Sequence, residues 1–128
     1  MKLQPDRIES TTVRAHGPGW LQIGDTTYRH SLLLCADGRI QPWDCTRHAD
    51  IALPHFALLA AWQPELLLLG SGARLRFVAP ALLRPLIDAG IGVETMDTLA
   101  AARTYNILAG EGRRVAAALL IEPEARTS

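Results

Sequence analysis

Gly70-Ser71-Gly72 directly follows the apolar run Leu66-Leu67-Leu68-Leu69, and it is the first place in the chain where residue types and spacing bear on chemistry. Glycines after a buried strand let backbone approach a pyrophosphate, and a serine on such a turn raises acyl transfer. Neither template is complete. The third glycine of a dinucleotide loop is Leu75, and Arg74-Leu75-Arg76-Phe77 alternates as extended chain where the phosphate-binding helix should begin. The first glycine of a nucleophile elbow is Leu69, so a hydrolase is not supported. What remains is a structural turn or a contact for some other anion or partner, with Arg74 and Arg76 on one side of an extended segment to serve it.

A second polar turn, Glu94-Thr95-Met96-Asp97-Thr98, ends the apolar stretch Ile91-Gly92-Val93. Both turns are expected at the carboxyl ends of neighbouring parallel strands, the edge of an α/β sheet where ligands bind. The helix that follows carries Arg103 and Asn106 on either side of Leu99, in an arc with Ala102, Ile107 and Ala109, so polar groups interrupt an apolar face. Two readings stay open. Both side chains are buried and satisfy backbone carbonyls or Glu94, as buried polar groups normally do, or Arg103, Asn106 and Glu94 converge on a pocket above Gly70. The candidate crevice takes Gly70, Ser71 and Gly72 from the first turn, Glu94, Thr95, Asp97 and Thr98 from the second, and Arg103 and Asn106 from the helix.

Metal and thiol chemistry find less support. His16, His30, His48 and His55 match no zinc spacing, and no two of them sit four apart on one predicted helix, so neither a metal nor a cofactor is expected. Cys35 falls on or at the end of a strand as a packing residue. Cys45, near Arg47 and His48, is the one candidate for a reactive thiolate.

The elements that must position these residues follow from the hydrophobic period. Thr11–Ala15, Trp20–Ile23, Thr27–Cys35 and Arg39–Trp43 read as antiparallel strands, separated by Gly17-Pro18-Gly19, Gly24-Asp25 and Asp37-Gly38. Leu53–Trp62 reads as a helix with Pro54 in its first turn and Pro64 beyond its end. Leu66–Leu69 is a strand apolar on both faces, and Ile91–Glu94 makes another buried strand. A helix over Pro80–Ala89 contains Pro85, so it is kinked or begins later than Pro80. Asp97 or Thr98 caps a helix to Ala109, and Val115–Ile121 is the last strand. The order implies an α/β fold: a mixed, partly parallel sheet with antiparallel β-hairpins added in the first third.

Composition narrows the function classes. The 128 residues suit one domain, with 1–10 and 123–128 expected to fray. Thirteen basic residues balance thirteen acidic ones, which leaves no electrostatic footprint for nucleic acid. The apolar runs are too short for a signal peptide or a membrane span, and two cysteines are too few for a disulfide framework, so a reduced cytoplasm is the expected compartment.

The two turns together with Arg103-Thr104-Tyr105-Asn106-Ile107-Leu108-Ala109-Gly110-Glu111-Gly112-Arg113-Arg114-Val115 resemble a small single-domain family that includes a mitochondrial respiratory complex I assembly factor. The Met96-Asp97-Thr98 and Tyr105-Asn106-x-Leu108-x-x-Glu111-x-Arg113 patterns carry the resemblance, which spans nearly the whole chain. It implies a three-layer arrangement around a mixed sheet, and it supplies no catalytic residue. Two function classes follow. One is a non-catalytic interaction or assembly module with a protein partner, the class the resemblance implies. The other is a binder of, or enzyme acting on, a small anionic metabolite in the crevice.

Overall fold

Alternating apolar residues separated by glycine turns build the first layer. The computed structural model describes residues 11–123, and the fraying expected at 1–10 and beyond Pro123 lies outside them. Strands β1 (Val13–Gly17), β2 (Trp20–Ile23) and β3 (Thr26–Tyr28) form an antiparallel sheet in that order. The tight β1–β2 turn needs a left-handed residue at Gly19, which has φ of 77°.

The continuous strand expected over Thr27–Cys35 is two strands. β3 stops at Tyr28, and β4 (Leu32–Cys35) belongs to a second sheet. Burial explains the break, because β4 is covered on both faces whereas Thr26 and Thr27 are exposed, and one straight strand cannot serve both environments. Ser31 makes the crossing, its buried hydroxyl accepting the Ile121 N–H at 2.8 Å.

The second sheet adds β5 (Ile40–Pro42), β6 (Leu66–Gly70), β7 (Gly92–Met96) and β8 (Val115–Leu119) in the order β5-β4-β8-β6-β7. β6 is parallel to both β7 and β8, while β4 runs antiparallel to β5 and β8. The expected parallel pairing of the two Leu- and Ile-led strands is therefore present, with Leu66 opposite Gly92 and Gly70 opposite Met96. The period of two divides the sheet's side chains between two cores. Leu33, Leu67, Leu69 and Ala118 pack with Phe56 and Leu59 of helix α1 (Leu53–Ala61) and Leu86 of helix α2 (Arg84–Asp88). Leu32, Leu68, Ala117 and Leu119 pack with Ala101, Ala102 and Tyr105 of helix α3 (Thr98–Gly110). Three layers result.

The proline at 85 sits where proline is tolerated. Pro80–Leu83 forms a 3-10 turn, and α2 begins only at Arg84, so Pro85 occupies its first turn and no internal hydrogen bond is missing. At the head of α3 the Asp97 carboxylate accepts the Ala100 N–H at 2.9 Å, the N-cap the sequence called for.

Candidate functional site

Parallel pairing of β6 and β7 puts both polar turns on one edge, and there they close on each other. Gly70 is required by proximity: a Cβ at this position would lie 2.9 Å from the Thr98 Cα. The Ser71 N–H donates to the Met96 carbonyl at 2.9 Å, and the Thr98 N–H donates to the Gly72 carbonyl at 2.9 Å. Thr98 completes the stitch with its hydroxyl, which accepts the Gly72 N–H at 2.8 Å and donates to the Leu120 carbonyl at 2.6 Å. Ser71 is fully buried. Its hydroxyl lies 2.8 Å from the Arg74 carbonyl and 3.1 Å from the Met96 carbonyl, and it accepts the Arg76 N–H at 3.0 Å. Both hydroxyls are committed to backbone, so neither is poised to attack a substrate.

The segment after Ser71 is anchored by Arg76. Its guanidinium donates to the Ser71 carbonyl at 3.1 Å and pairs with the Glu122 carboxylate. Glu122 also accepts the His48 N–H at 3.3 Å, and the His48 ring nitrogen lies 3.2 Å from the Arg76 carbonyl. Arg74 and Arg76 therefore do not act as a pair, since Arg74 points to solvent and Arg76 turns inward. An extended segment whose Arg76 faces the protein must turn its neighbours outward. Leu75 is 51% and Phe77 72% exposed.

The helix contribution to the expected crevice is different. Arg103 was expected to be buried, and it is exposed, with no hydrogen bond or ion pair among the described residues. The reason is rotational: the buried face of α3 runs through Thr98, Ala101, Ala102, Tyr105 and Ala109, roughly a quarter-turn from an arc centred on Leu99. Asn106 falls on the flank of that face, half-buried. Its amide oxygen accepts the Val13 N–H and its amide nitrogen donates to the Val13 carbonyl, both at 2.9 Å. One side chain thus docks β1 onto α3. Glu94 is exposed on the edge strand β7, and Thr95 stands beside it half-buried. Arg103, Asn106 and Glu94 therefore have separate surroundings and do not form one pocket above Gly70.

The open space lies next to the stitched edge. A cavity of about 630 Å³ separates the tip of the β1–β2 hairpin, including His16 and Trp20, from Gly72, Ala73, Leu99 and Glu122. A smaller cavity of about 330 Å³ lies between His30 and Trp43, with Cys45 on its wall. Cys45 is not a thiolate. Burial first, then the Asp50 and Asp44 charges, push its pKa up to about 11, and its Sγ donates to the Arg47 carbonyl at 3.3 Å. Cys35 is pushed up as well, again mainly by burial. No group of three or more His, Cys, Asp or Glu among the described residues could hold a metal ion.

Sequence reasoning placed His48 only beside Cys45 and did not find Glu122 or the cavity. Arg76 and Glu122 are 46 positions apart, and only the fold brings them together. The one local signal was Trp20 beside the Gly17-Pro18-Gly19 turn: the ring packs over Gly17, where any Cβ would collide with it.

Residues 13–120 match the family described as "Protein of unknown function (DUF498/DUF598)". An uncharacterised protein of Rhodobacter capsulatus is 39% identical over 123 residues, covering 95% of this chain and 94% of that protein. NADH dehydrogenase [ubiquinone] 1 alpha subcomplex assembly factor 3 of Danio rerio is 33% identical over 126 residues, covering 96% of this chain and 71% of that protein. The solution structure of a Bordetella pertussis protein, a Mth938-like domain, superposes with a TM-score of 0.81 at 35% identity, covering 98% of this chain and 95% of that one. A three-layer fold of this topology and a match along most of its length place the chain in the DUF498/DUF598 family, with the Mth938-like domain and the respiratory complex assembly factor among its relatives.

Proposed function

We propose that the protein is a non-catalytic interaction module that helps assemble or stabilise a larger protein complex in the cytoplasm, acting as one domain. The observation that carries this reading is the anchored segment after Ser71, which holds Leu75 and Phe77 out to solvent on one side. Leaving a phenylalanine exposed forgoes about 1.5–3 kcal/mol of burial free energy. Paired apolar side chains on a fixed backbone are what a protein partner recognises. The likeness to an assembly factor supports a partner belonging to a multi-subunit complex. The polar edge supports the same reading, because the Ser71 and Thr98 hydroxyls are consumed within the fold.

The test is capture from the native organism with the wild type, a Leu75→Ser/Phe77→Ser variant and an Arg103→Ala control, each checked for folding. A defined set of proteins should accompany the wild type and the control and be lost with the double variant. Equal capture by all three would overturn the placement of the surface. A companion thermal-shift screen of phosphorylated metabolites and nucleotides should give no stabilisation, although a ligand at a hundred times its Kd adds about 2.7 kcal/mol.

A further inference from the structure

The cavity beside the hairpin tip has the size and lining of a small-molecule site. At about 630 Å³ it lies within the usual range of roughly 300–1,000 Å³. It opens between two separately built sheets, next to the carboxyl edge of β6. Its walls are mainly apolar, from Pro18, Leu21, Leu99, Leu120 and Ile121. Trp20 supplies a flat aromatic wall held in place by its packing over Gly17.

Charge decides the class of occupant. Among the described residues Glu122 is the one carboxylate on the wall, His16 is the one basic side chain, and no arginine or lysine lines the cavity. The carboxylate's partner Arg76 uses one guanidinium nitrogen, Nη2, for both the Ser71 carbonyl and Glu122. The start of α3 also adjoins the cavity, and a helix N-terminus would ordinarily favour an anion. Here the Thr98 N–H is given to Gly72 and the Ala100 N–H to Asp97, so two of the first-turn donors are already used. An anion would find no arginine or lysine among the described wall residues, and the nearby Arg76 is already paired with Glu122, whereas an uncharged or cationic ring would meet a flat aromatic wall and a hydrogen-bond acceptor.

We propose that this cavity binds a planar aromatic molecule, uncharged or cationic, stacked against Trp20 with its polar group toward Glu122. The site is separate from the Leu75 and Phe77 surface and does not depend on the assembly reading.

Two fluorescent probes test it. N-phenyl-1-naphthylamine is uncharged, and 1-anilinonaphthalene-8-sulfonate carries a sulfonate on the same ring system. The uncharged probe should bind saturably at one site per chain, at least about tenfold tighter than the sulfonate. Ala73→Trp, at an exposed wall position, should fill the space and weaken the uncharged probe at least about tenfold while the chain stays folded. Glu122→Gln should narrow the gap between the probes. If that variant does not fold, the wild-type and Ala73→Trp comparisons decide. Absence of saturable binding by the uncharged probe up to its solubility limit would overturn the site. So would binding unaffected by Ala73→Trp, or a sulfonate that binds as tightly as the uncharged probe.

Discussion

The stitched edge around Ser71 and Thr98 and the cavity beside it are neighbours, yet they use their residues in opposite ways. At the edge, polar side chains are dense and the Ser71 and Thr98 hydroxyls are spent on backbone. In the cavity the walls are apolar, and one carboxylate gives direction. The difference teaches that polar residues at the carboxyl ends of parallel strands need not form a ligand site. A turn that crosses between strands leaves N–H and C=O groups without ladder partners, and serine and threonine are the residues that satisfy them.

The largest effect should come from breaking the edge. Thr98→Val keeps the shape but strands the buried Gly72 N–H and the Leu120 carbonyl. Each buried group left unpaired costs about 1–3 kcal/mol, so denaturant unfolding should register a loss of about 2–5 kcal/mol. A midpoint within error of the wild type would mean the hydroxyl is not structural.

Raising pH probes a third region, the smaller cavity, through Cys45 on its wall. Its folded pKa is raised from 9.0 to about 11. The stabilisation is fully present below pH of about 9 and is lost as pH rises through about 11, because the unfolded chain ionises a thiol that the folded chain keeps protonated. The loss should approach about 2–3 kcal/mol. A Cys45→Ala variant should show a correspondingly flatter stability profile across that window.

Asn106→Ala should cost about 1–2 kcal/mol, since two half-buried backbone groups of Val13 lose their partner. Amide exchange at Val13 should accelerate in the same variant, which separates undocking of β1 from a general loss of stability. Arg103→Ala should change stability by no more than about 0.5 kcal/mol, as expected for an exposed side chain. A loss above about 2 kcal/mol would return Arg103 to the protein interior.

The hairpins and the central parallel pair were legible because they rest on local signals, apolar runs and glycine turns, whereas the three layers were implied by the family resemblance. Leu66–Gly70 and Gly92–Met96 are parallel neighbours as their pattern requires. Which face of α3 is buried was not legible. Ala101, Ala102 and Ala109 are small enough to pack tightly under the sheet but add little to an apolar stripe, while Leu99 and Ile107 drew the expected face toward themselves. Ile107 is in fact 61% exposed. The continuity expected across Arg29-His30-Ser31 failed for a related reason, since a change of sheet leaves no mark on a period of two. The Arg76–Glu122–His48 contacts join three distant segments, and nothing in any one segment announces the others.

Hydrogen exchange at the Ser71 and Gly72 amides tests most directly whether the polar edge is a structural lock. Both N–H groups have partners within the fold, and the account predicts opening free energies close to those of the central β8 amides, near the global unfolding value. Exchange as fast as that of an exposed loop would mean that the two turns part in the native state, and that the edge is an open site after all.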